Sequence, residues 1–101
     1  KTGTNVPNEF KLEQNFPNPF NPGTSISYRL PNFGFVSLKV FNSLGSEIAT
    51  LVNEFQQAGS HQAFFNVTQI SNLRNNIASG VYFYTLWADN YAQTKKMLLI
   101  K

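Results

Sequence analysis

Ser25-Ile26-Ser27-Tyr28-Arg29-Leu30 is the stretch whose reading decides the fold class. Ile26, Tyr28 and Leu30 alternate with Ser25, Ser27 and Arg29. In an extended chain the side-chain period is two, so the apolar and polar sets fall on opposite faces. Val36, Leu38 and Val40 repeat the alternation against Ser37, Lys39 and Phe41. Both segments are therefore expected to be half-buried strands.

The neighbouring segments extend this pattern. Asn42-Ser43-Leu44-Gly45 reads as a short hairpin, because Asn tolerates turn geometry and Gly accepts positive φ. The next strand is expected over Ser46–Val52. Ile48, Leu51 and Val52 also fit a helical spacing, but the hairpin before them favours a strand. Gly59 punctuates a strand over Ser60–Asn66, and residues 67–79 read as an irregular polar loop. Gly80–Ala88 is a long aromatic-rich strand, and Asp89-Asn90 turns the chain into Tyr91–Lys101.

On the N-terminal side, Lys11–Gln14 is expected to form a short first strand. Pro17, Pro19 and Pro22 then remove three backbone donors and bias Phe16, Asn18 and Asn21 away from helix. That segment should be extended, with Phe16 and Phe20 free to dock on a core. About seven strands and no convincing helix predict an all-β, immunoglobulin-like antiparallel β-sandwich. Gly80-Val81-Tyr82 follows Ile77 at a spacing that resembles a tyrosine corner, without a cysteine-tryptophan-cysteine framework.

The 101 residues suffice for one domain, which buries roughly two-thirds of its unfolded surface. With no cysteine the core must carry stability alone, and ten Phe, four Tyr and one Trp can supply it. No apolar run approaches the roughly 18 residues of a spanning helix. The chain begins at Lys1, which predicts a piece of something longer. Residues 1–10 read as a linker to an upstream domain and residues 11–101 as the domain itself. Three of the eight basic residues, Lys95, Lys96 and Lys101, fall in the last seven positions. That is a basic end, not the basic stripe of a nucleic-acid binder.

Nothing points to catalysis. Glu9, Glu13, Glu47, Glu54 and Asp89 are scattered over five segments, whereas acid–base work needs groups that converge. His61 is the only histidine, too little for a transition-metal site. No phosphate loop or dinucleotide fingerprint is present, so no cofactor is expected. Tyr82, Phe83, Tyr84, Trp87 and Tyr91 admit an alternative, a carbohydrate-binding or adhesive module. Alternation limits it, because Tyr82 and Tyr84 share one face with Leu86 and one face must be core. The last strand carries Met97, Leu98, Leu99 and Ile100 on both faces. Either the Pro17–Pro22 segment or a loop covers its outer side, or a partner reads it by edge pairing or side chains.

Several motifs occur in a telling order: Asn18-Pro19-Phe20-Asn21-Pro22, Ser27-Tyr28-Arg29-Leu30-Pro31, Val40-Phe41-Asn42-Ser43-Leu44-Gly45, Ala58-Gly59-Ser60-His61, Ala78-Ser79-Gly80-Val81-Tyr82-Phe83-Tyr84 and the Lys95–Lys101 end. Together they resemble the type IX secretion system C-terminal sorting domain, type A, over Phe10–Lys101. The stretch between Phe65-Asn66 and Ser79-Gly80 is longer than that family's usual loop.

The resemblance implies a non-enzymatic sorting signal that directs an upstream cargo domain across a bacterial outer membrane. The implied partners are the outer-membrane translocon, shuttle proteins and a sortase-like surface protease that removes the domain and leaves cargo on the cell surface. The implied route is periplasm in transit, then outer-membrane surface or exterior. Recognition would depend on Gly80, Tyr82, Lys95, Lys96, Met97, Leu98, Leu99, Ile100 and Lys101. Pro17, Asn18, Pro19, Phe20, Asn21, Pro22, Gly45 and Gly59 would be structural positions of the family motif. The apolar outer face of the last strand could also support weak self-association.

Overall fold

The computed structural model describes residues 9–69 and 77–101. Most of the expected linker and the middle of the expected 67–79 loop lie outside these residues. Seven strands form: β1 (Lys11–Leu12), β2 (Gly23–Leu30), β3 (Gly34–Phe41), β4 (Glu47–Gln56), β5 (Gly59–Asn66), β6 (Gly80–Ala88) and β7 (Tyr91–Leu99). They build a three-stranded sheet, β1-β2-β5, and a four-stranded sheet, β4-β3-β6-β7, with every pairing antiparallel. The fold is an immunoglobulin-like β-sandwich, as the alternation predicts.

The alternating residues form the core. Ile26, Tyr28 and Leu30 of β2 meet Val36, Leu38 and Val40 of β3, with Tyr82, Tyr84 and Leu86 of β6, all buried. Burying such a side chain contributes about 1.5–3 kcal/mol, and this shared interior replaces the missing disulfides. The tyrosine corner is present: the Tyr82 hydroxyl donates to the Ala78 carbonyl at 2.6 Å.

Several boundaries differ from expectation. β4 runs on to Gln56, because Val36, Phe35 and Gly34 still offer partners to Glu54, Phe55 and Gln56. Its helical spacing reflects register shifts between Leu38 and Lys39 and between Val40 and Phe41, which break strict alternation. β1 stops at Leu12. After Asn66 the chain makes a 3-10 turn, Val67–Gln69, where a loop was expected. Phe16 does not reach the core and is mostly exposed, whereas Phe20 is buried. The segment is not extended as expected: it bends at residues 17–19, so Phe16 bridges Ser25 of β2 while Phe20 bridges Leu99 of β7.

The registers place the turns at two poles. Phe10, the β2–β3 turn, Gln57-Ala58 and Asp89-Asn90 gather at the pole where the chain enters, with Phe10 stacked on Tyr91 at 4.9 Å. Phe20–Pro22, the Asn42–Ser46 hairpin, the start of β6 and Lys101 gather at the opposite, distal pole. Gly45 turns the hairpin with φ 89°, a conformation L side chains rarely adopt.

Candidate functional site: the clamped C-terminal strand

The proline-rich segment runs along the free edge of β7. β6 occupies one edge of this last strand. Along the other, Phe20 donates its amide to the Leu98 carbonyl at 2.9 Å and accepts the Ile100 amide at 3.1 Å. Asn18 Oδ1 accepts the Leu98 amide at 3.0 Å, and Gln14 Nε2 donates to the Lys96 carbonyl at 2.8 Å. An unpaired edge would invite strange strands; here side-chain and backbone groups of the segment cover it.

A buried polar network holds the segment in place. The Tyr84 hydroxyl accepts the Asn15 amide at 2.8 Å and donates to the Glu13 carbonyl at 2.7 Å. Asn15 Nδ2 donates to Thr24 Oγ1 at 3.0 Å and to the Pro17 carbonyl at 3.2 Å, and Thr24 also donates to Pro17 at 2.8 Å. Prolines at 17, 19 and 22 supply carbonyls but no donors, so neighbouring side chains must do the pairing. Burial pushes the Tyr84 phenol up to about 12, against the lowering effect of the Asn15 amide. Burial likewise raises Tyr82, with the Ala78 hydrogen bond opposing it. Both stay neutral hydrogen-bonding groups near neutral pH.

The structure divides the expected recognition residues into two sets. Met97 and Leu99 are buried and pack in the core, and Tyr82 serves the tyrosine corner. Gly80 starts β6 at φ 145°, opposite Leu99. Lys95 is half-buried opposite Tyr84. These positions shape the strand. Lys96, Leu98, Ile100 and Lys101 are exposed. Leu98 lies directly across from Val81 and Lys96 from Phe83, so one outward face carries Val81 (38% exposed), Leu98 (36%) and Ile100 (52%) beside a cation. The Lys101 amide donates to Ser79 Oγ at 2.8 Å, which fixes the end of the chain.

The Pro17–Pro22 segment covers the edge of β7 but leaves its outer side chains exposed. Of the five aromatics of the carbohydrate alternative, Tyr91 is covered by Phe10, while Trp87 stays partly exposed with Phe41 edge-on at 6.2 Å. Sequence reasoning missed Asn15, Gln14 and Thr24. The usable signal was the cluster of donor-poor prolines, which demands nearby donors. His61 stacks on Tyr28 at 5.5 Å, and its Nε2 contacts the Gln57 carbonyl at 2.7 Å. Among the described residues no three His, Cys, Asp or Glu side chains converge as a metal site would need.

The family described as "secretion system C-terminal sorting domain" matches residues 14–101. No curated protein matches the chain. A solved structure of PorZ, described as an essential surface component of the type IX secretion system of Porphyromonas gingivalis, resembles it with a TM-score of 0.56 at 15% identity. That likeness, a likeness of fold, covers 91% of this chain and 11% of the PorZ chain. The matched span runs from the Gln14 that bonds Lys96 to the last residue, and so includes both halves of the clamped edge; the chain belongs to the C-terminal sorting domain family of type IX secretion.

Proposed function

We propose that this domain carries its cargo across the outer membrane by presenting the clamped β7 edge and its outer face to the translocon. The observation that carries the reading is the clamp itself. The two motifs most distant in sequence meet in one place, and the clamp holds Lys96, Leu98 and Ile100 in a fixed array with Val81. A partner can read such an array only if the domain is folded, which couples export to folding. Aligned apolar side chains beside a cation offer both burial and charge steering.

On this reading the cargo precedes the domain in the same chain and passes through the periplasm. A sortase-like surface protease then cuts before the sandwich, leaving cargo on the surface. Residues Gly80, Tyr82, Lys95, Met97 and Leu99 keep the face in shape, and Lys96, Leu98, Ile100 and Lys101 meet the partner. The test is a Lys96→Gln variant, assayed for thermal midpoint and for export of cargo. An unchanged midpoint with weakened export is expected. Normal export of the stably folded variant would rule out reading of the Lys96 charge.

A further inference from the structure

Three phenylalanines form an exposed cluster at the pole where the chain enters. Phe33 stacks on Phe55 with centroids 5.6 Å apart and planes 10° from parallel, and Phe35 meets Phe55 edge-on at 5.1 Å. Phe35 and Phe55 are also cross-strand partners. The rings are 57%, 44% and 62% exposed. Three contiguous exposed aromatics do nothing for the core, and the largest apolar patch on a monomer is often functional.

Its size and place favour a tethered occupant over a free one. With about 200 Å² per ring, the three expose roughly 300–350 Å² between them. A free partner needs about 800 Å² on each side for a stable complex, so this patch alone would not hold one. A tethered partner needs far less, because a short linker keeps it at an effective concentration of about millimolar. The polypeptide before Phe10 leaves from this same pole, where Phe10 rests on Tyr91. We propose that Phe33, Phe35 and Phe55 dock the preceding cargo domain of the same chain. The contact orients the sandwich so that its distal pole, with Leu98, Ile100 and Lys101, points away from the cargo. The inference rests on the sorting reading only in placing a cargo domain upstream.

Hydroxyl-radical footprinting of the natural precursor tests this contact. Modification of Phe33, Phe35 and Phe55 is compared before and after the linker is cut and the sample diluted. Phe16 and Phe64, 78% and 72% exposed on the other sheet, are internal controls. Threefold or greater protection in the precursor, lost on cutting and dilution, is the expected result. Equal modification before and after would overturn the proposal. So would protection that survives cutting and dilution, which would assign the cover to residues 1–8. Protection that depends on precursor concentration would assign it to a second copy and likewise overturn it. In a second arm, Phe33→Ser/Phe55→Ser should widen the interdomain distance distribution of the precursor in small-angle scattering; an unchanged distribution in the folded variant counts against the contact. Export is scored separately, so protection without export would leave the contact standing and remove the sorting role.

Discussion

The Leu98 amide donates to Asn18 Oδ1 at 3.0 Å across 80 positions of sequence. Two residues further along, Ile100 donates to Phe20. The proline-rich motif is thus a bracket on the last strand rather than a separate feature. Phe20 reaches the core while its backbone covers the edge, so burial and edge protection come from one residue.

Asn18→Ala should open the edge without unfolding the sandwich. The Leu98 amide would turn to water, at a cost of about 0.5–1 kcal/mol. Hydrogen exchange of the Leu98 amide should accelerate about two- to fivefold, with Ile100 less affected because Phe20 still holds it. Unchanged exchange at Leu98 would mean that the bond contributes nothing in solution.

Tyr84→Phe should be more costly. It orphans the buried Asn15 amide and the Glu13 carbonyl together, and each unsatisfied group costs about 1–3 kcal/mol. Even at the low end, about 2 kcal/mol for the pair, the thermal midpoint should fall by about 8–16 °C, at roughly 4–8 °C per kcal/mol for a domain near this size. Tyr82→Phe removes a single bond to a partly exposed carbonyl and should cost about 1 kcal/mol. Equal losses for the two variants would contradict the network.

Much of this was legible in the sequence. Ile26, Tyr28 and Leu30 declared their strand because a half-buried strand must alternate, and Tyr82 declared its corner through Ile77 and Gly80. The clamp was less visible. No periodicity shows that Asn15 is buried or that Phe20 pairs with Leu99, since long-range pairing depends on how two sheets stack. Phe16 misled because a proline-rich segment has no fixed side-chain period. Leu98 and Met97 are equally apolar in sequence, and only the register against Val81 and Tyr82 shows which one faces out.

Alkaline pH should destabilise the domain within a defined window. Burial raises the Tyr28 and Tyr84 phenols from 10 to about 12. Both states are protonated below pH 10, so their contribution is fully present there. Above pH 10 the unfolded chain releases these protons first, and stability is lost progressively towards pH 12. The two should cost of the order of 1–2 kcal/mol each across the window. Urea midpoints measured from pH 8 to 11.5 would show it, and Tyr84→Phe should flatten the decline.

The outer face should separate recognition from folding. Leu98→Ser with Ile100→Ser removes exposed apolar surface, and such changes usually alter stability by about 0.5 kcal/mol or less each. A near-native thermal midpoint with export reduced tenfold or more is expected. Full export of the folded variant would move the recognition surface elsewhere.

Export of a reporter tests the central claim most directly. A fluorescent protein with its own inner-membrane signal, fused ahead of residues 1–101, is expressed in a bacterium with a working type IX system and in a translocon-deficient strain. Fluorescence at the cell surface or in the medium of the competent strain alone is the expected result. Reporter held in the periplasm of both strains, with the sandwich folded and intact, would contradict the sorting role.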